Sequence, residues 1–153
     1  MINYLFNLPS FLIRKFKAKK VSYSLTSIDL LISNIFKNKK NGFFIDVGCN
    51  HPVYNNNSYL LYKKGWRGIN IDLDKKSIEL FNLYRKKDLN INSAISSKVE
   101  EVDCFFYHDK SPINTLNKKS SEYQKVKPKI IKKITTQTLK SVIVNSDFSE
   151  EKI

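Results

Sequence analysis

Apolar and polar positions follow two periods along this chain, and the switch between them marks out its elements. Ile28, Leu31, Ile32, Ile35 and Phe36 recur at the three- and four-residue spacing of one helix face, with Ser27 placed to cap it. Asn41 and Gly42 are residues that end a helix. FFIDV, from Phe43 to Val47, reads as a buried strand, because its apolar and β-branched run is too short for a helix. A short helix is predicted over 58–64, with Tyr59, Leu60 and Leu61 inward and Gly65 as its C-cap. A strand over 68–73 and a helix over 75–86 follow, the latter with Ile78, Leu80, Phe81 and Tyr84 at helical spacing. Residues 89–95 alternate as a third strand. This β-α-β-α-β order with short connections predicts an α/β fold on a parallel sheet. Further strands are predicted at 102–107 and within 130–144, and 111–129, rich in Ser, Asn and Lys, reads as a loop or weak helix.

The chemistry sits where the first two strands end. Asp46, Gly48 and Asn50 occupy the turn after the first strand, and Gly48 permits both a positive φ and a close backbone approach. No GxGxxG follows, so a dinucleotide pyrophosphate is poorly matched. Asp72 lies 26 residues after Asp46. That is close to the ~20-residue offset at which a carboxylate meets a ribose at the next strand tip. Asp74 is the alternative, but its place also suits an N-cap for the helix that starts at Lys75. His51 adjoins the same turn and is a candidate general base; His108 reads as a loop residue.

Composition narrows the partners. At 153 residues the chain supports one domain with a core. The net charge of +13 would suit nucleic acid, but only three of the 27 basic residues are arginines. Bidentate phosphate and base recognition favours arginine, so no specific nucleic-acid surface is expected. Cys49 and Cys104 form no CxxC pair and the histidines have no ligand spacing, so no metal is expected and a reducing, cytoplasmic setting is the default. Near the N-terminus, Phe11, Leu12, Ile13 and Phe16 stand among basic residues in a short amphipathic pattern. It reads as a helix packed over the domain edge, with weak contact to an anionic membrane as the alternative.

The block FFIDVGCNHPVYNNNSYLLYKKGWRGINIDLD, with the later NINSAIS, resembles the FkbM-type family of S-adenosylmethionine-dependent methyltransferases, over about residues 41–96. The resemblance implies a Rossmann-like class I methyltransferase sheet preceded by a helical segment at 1–41, with the methyltransferase domain spanning 42–153. It implies that Asp46, Gly48 and Asn50 line the methionine part of S-adenosylmethionine, that Asp72 binds the ribose hydroxyls, and that Asn92 sits near the adenine. The acceptor would be a small molecule, a sugar or a lipid, methylated on oxygen. Cys49 and the Pro52-Val53 pair depart from the family's usual DVGANxG loop. The family continues with a strand of the type DFLKIDVEG, so the sequence reads as the N-terminal part of such a domain, with FFIDV left as an open apolar edge.

Overall fold

A computed structural model describes residues 21–146 and residue 148. Residues 1–20, 147 and 149–153, the first of which hold the amphipathic pattern around Phe11 to Phe16, lie outside the described residues. The order of elements is α1 (Ile28–Ile35), β1 (Phe43–Val47), α2 (Tyr59–Lys63), β2 (Arg67–Asp72), α3 (Lys75–Tyr84), β3 (Leu89–Asn92), β4 (Ala94–Ser96), β5 (Glu101–Phe106), α4 (Lys118–Glu122), β6 (Ile130–Thr138) and α5 (Leu139–Val144). The protein is α/β. Its first sheet is wholly parallel in the order β1-β2-β3, and the second has the order β4-β6-β5, with β6 parallel to β4 and antiparallel to β5.

Side-chain alternation along β2 divides the molecule into layers. Ile69 and Ile71 point to one face, where they are buried with Val142 of α5 and packed by Phe43, Ile45, Leu89 and Ile91. Gly68, Asn70 and Asp72 alternate with them and so point to the other face, as do Phe44 and Asp46 of β1. Over that second face lie Ile78 and Phe81 of α3 with Cys49. Leu80 and Val53 are packed by Tyr23, Tyr59 and Tyr84. One face is therefore apolar throughout, whereas the other carries buried polar groups. β1 stands at the edge of its sheet. Val47, at the end of β1, is exposed.

Gly68 is required by closeness. It pairs with Phe44, and a Cβ built on it would clash with the Phe44 carbonyl and sit 2.7 Å from a Phe44 ring carbon. Relief needs one strand to move, so Gly68→Ala is expected to destabilise the fold by about 1–3 kcal/mol, read as a lowered urea midpoint with an unchanged slope.

Five sequence expectations need correction. The apolar stripe of α1 is not its buried face: Leu31 is 55% and Ile35 64% exposed, whereas Asp29 and Ser33 are buried. Hydrogen bonds decide this orientation. The Asp29 carboxylate accepts from Ser22 Oγ at 2.7 Å and from the Tyr23 N–H at 2.7 Å, and Ser33 Oγ meets Lys64 Nζ. Ser27 makes no side-chain cap, having a φ of 61°, and α1 ends at Ile35, well before Asn41-Gly42. The third strand is cut at Ser93: β3 belongs to the first sheet and β4 to the second. Finally, the segment 130–144 changes from strand to helix at Thr138, whose hydroxyl accepts from the Ser141 N–H at 3.1 Å as the N-cap of α5.

Candidate functional site

At the carboxyl ends of β1, β2 and β3 lies a cleft of about 340 Å³. Val47 and Gly48 border it from β1, Ile71 to Leu73 from β2, and Ser93 to Ile95 from the switch between sheets, while residues 111–117 form the facing wall. Crevices outside the carboxyl ends of parallel strands are where open α/β sheets hold ligands, because the loops there diverge and leave space between them. The volume lies at the small end of the usual range for ligand pockets.

The loop after β1 is shaped by its backbone. Gly48 has φ 76° and Asn50 φ 50°, left-handed conformations that glycine and asparagine adopt most readily. The Gly48 and Cys49 N–H groups both donate to the Ile71 carbonyl, at 2.8 and 3.2 Å. A Cβ on Gly48 would meet no atom within 4 Å, so the backbone there borders open space. Asn50 donates its N–H to Asp72 Oδ2 at 2.8 Å and its side-chain amide to the Lys110 carbonyl at 3.3 Å. The loop is thereby tied to both β2 and the facing wall.

Asp72 is only 9% exposed. Its Oδ1 accepts from the Asp74 N–H at 2.8 Å, so each carboxylate oxygen holds one backbone donor. A carboxylate offers about four acceptor positions, so about two are left for a ligand. Asp74 caps α3 by accepting from the Lys76 N–H at 2.9 Å, and its other oxygen takes the Lys110 N–H and, at 3.3 Å, the Asn114 amide. Asp74 caps α3 as expected and also ties down the wall, while Asp72 lines the cleft.

The other residues marked by the sequence lie elsewhere. Asp46 does not line the cleft; its Oδ2 accepts from Ser58 Oγ at 2.6 Å and from the Asn56 amide at 3.2 Å. Asn92 is exposed and off the lining, its amide donating to the Asp72 carbonyl at 2.9 Å. His51 is 1% exposed, and its Nδ1 accepts the Val53 and Tyr54 N–H groups at 3.1 and 2.9 Å. Its Nδ1 therefore shapes the loop, and His51, read from the sequence as a candidate general base, does not line the cleft. His108 is exposed, as expected of a loop residue.

Two features carry no motif and were not legible. One is the wall at 111–117, held by reciprocal hydrogen bonds between Phe105 and Thr115 at 2.9 and 3.2 Å. The other is Arg85, fully buried behind Asp46. Its Nε donates to Asp88 at 2.9 Å, and its Nη1 donates to Asn56 and Ser58 at 3.1 and 3.0 Å. Among the described residues Nη2 has no hydrogen-bond acceptor, and the guanidinium lies 4.7 Å from the Tyr62 ring centre, 5.1 Å from Phe44 and 5.3 Å from Phe81. No group of three or more possible metal ligands occurs among the described residues.

Burial raises the carboxyls of Asp46, Asp72 and Asp88 above their ordinary 3.8, against the pull of Ser58 on Asp46, of two backbone N–H groups on Asp72, and of Arg85 on Asp88. Burial, with Asp46 and Asp72 nearby, also holds the Cys49 thiol well above its usual 9.0. A raised carboxyl binds its proton more tightly in the folded chain. Its contribution to stability is complete below 3.8 and is lost as pH rises through the raised value. A carboxyl-carbon NMR titration is expected to place the midpoints of all three aspartates above 3.8 in the folded protein.

The fold and cleft define an α/β protein with a ligand-sized crevice at the carboxyl edge of a parallel sheet. Comparison with protein-family models, with curated proteins and with solved structures finds no match to the chain. Among the described residues, no helix is long and apolar enough to cross a membrane.

Proposed function

We propose that the cleft binds S-adenosylmethionine and that the chain carries the cofactor-binding part of a Rossmann-like class I methyltransferase. One observation carries this reading: Asp72 stands at the tip of the second parallel strand, in the cleft, with about half its acceptor positions open. A ribose diol needs such an acceptor, and its two hydroxyls suit the two carboxylate oxygens. The open space beside Gly48 would admit the amino-acid end of the cofactor, and Ala94 and Ile95 offer apolar surface to the base. Asp46 then acts at one remove, holding α2 and the Asn56 amide in place beneath the loop.

Bound S-adenosylmethionine supplies a sulfonium methyl group for transfer to a nucleophile, here an oxygen of a small-molecule, sugar or lipid acceptor. The chain's own residues contribute binding and orientation, which can supply much of the acceleration of a bimolecular transfer. No general base is assigned, because the histidine beside the loop is buried and does not line the cleft. Isothermal titration calorimetry with S-adenosylmethionine and with S-adenosylhomocysteine tests the reading. Saturable one-site heat with both is expected. Absence of heat with either, or equal binding of unrelated nucleosides, would reject it.

A further inference from the structure

We propose that residues 118–133 form a docking surface for an anionic lipid bilayer. This segment runs from α4 through its connection into the first half of β6 and carries seven lysines against one carboxylate, Glu122. Lys133 pairs with Asp103 at 3.0 Å, and Lys132 lies 4.6 Å over the Phe106 ring. The other five, Lys118, Lys119, Lys125, Lys127 and Lys129, are all exposed. Apolar side chains stand between them: Tyr123 is 87% and Val126 57% exposed. Ile130 and Ile131 are consecutive strand residues and so point to opposite faces, yet both are exposed. The start of β6 therefore has neither face covered.

Lysines interleaved with protruding apolar tips fit an interfacial membrane contact. The ammonium groups meet headgroup phosphates, and the apolar tips enter the boundary with the acyl chains. A polynucleotide would engage the same lysines but gains nothing from Val126, Ile130 or Ile131. The segment also holds no arginine for bidentate phosphate contacts. A second copy of this chain would bring two dense positive surfaces together, which repel. The surface is firmly seated: Tyr107 Oη lies 2.8 Å from Ser121 Oγ, and Asn117 caps α4 by accepting from the Ser120 N–H at 3.0 Å. Asn117 also lines the cleft, so the docking surface begins where the cleft wall ends. The docking stands or falls independently of the cofactor.

Vesicle sedimentation of the full chain tests this. Vesicles of mixed phosphatidylglycerol and phosphatidylcholine are expected to bind the chain, and pure phosphatidylcholine is not. Replacing Lys125, Lys127 and Lys129 together by Gln should weaken binding about a hundredfold, at roughly fivefold per lysine. The pair Tyr123→Ser and Val126→Ser should weaken it about tenfold, even where salt has screened most of the charge term. All five side chains are exposed, so thermal melts should match the unaltered chain, and Ile131→Thr provides a third variant that keeps a strand-forming residue. Undiminished binding in every variant would overturn the proposal, as would loss in the lysine variant alone, which means adsorption by charge. Tighter binding to single-stranded RNA than to vesicles at equal salt, or self-association removed by the apolar pair, would assign the surface to another partner and overturn it as well.

Discussion

Arg85→Ala is expected to remove about 3–5 kcal/mol of folding stability, a large share of what a domain of this size possesses. The guanidinium lies beneath the first loop, and its ion pair with Asp88 is wholly buried on both sides. Its loss leaves Asp88 charged and unneutralised, removes the donors to Asn56 and Ser58, and opens a void among Phe44, Tyr62 and Phe81. Lysine does not substitute, because a single ammonium cannot reproduce the planar fork that reaches Asp88, Asn56 and Ser58 together. Adding Asp88→Asn to the alanine variant should recover part of the loss by removing the uncompensated charge. Urea unfolding of the single and double variants measures both effects. A cost below about 1 kcal/mol, as for an exposed pair, would mean that the network does not form as described.

Much of the frame was legible because it depends on local periodicity. The alternation of parallel strands with short helices follows from runs such as FFIDV and RGINID bounded by turn residues, and the Asp74 cap from its place just ahead of a helical pattern. What failed depends on tertiary choice. The stripe on α1 showed that the helix has an apolar face, but not that Asp29 would bind the chain before it and turn that face outward. The switch at Ser93 was hidden because one continuous alternation serves two sheets, and nothing local marks the change of partner.

The site divides in the same way. Gly48, Asn50 and Asp72 were readable because a turn and a strand tip fix their positions, and the cleft contains all three. Asp46 and His51 carry groups that typify chemistry, yet neither lines the cleft, and Asp46 Oδ2 and His51 Nδ1 both hold the loop. Arg85 escaped notice because a lone arginine at a helix end ordinarily signals solvent. Two of its hydrogen-bond partners, Asn56 and Ser58, lie 29 and 27 positions earlier in the chain, in the loop before α2.

Asp72→Ala is expected to weaken S-adenosylmethionine binding by about tenfold to a hundredfold, the worth of one or two hydrogen bonds to a charged group. The same substitution frees the Asn50 and Asp74 N–H groups, so the ligand-free chain should also lose some stability. The two roles separate in one experiment. If Asp72 binds the ribose, the thermal shift caused by saturating cofactor shrinks in the variant; if it is only a brace, the melting point falls but the shift persists. Burial holds the Asp72 carboxyl above 3.8, so affinity should fall on acidification at a higher pH than for an ordinary aspartate.

The most direct test is an amide NMR titration of the full chain with S-adenosylmethionine, which reports where the ligand sits as well as whether it binds. Saturable shifts are expected at Gly48, Asn50, Asp72, Ser93, Ala94 and Ile95, with the largest at the tips of β1 and β2. Shifts absent at saturating cofactor, or confined to residues away from this cleft, would contradict the account.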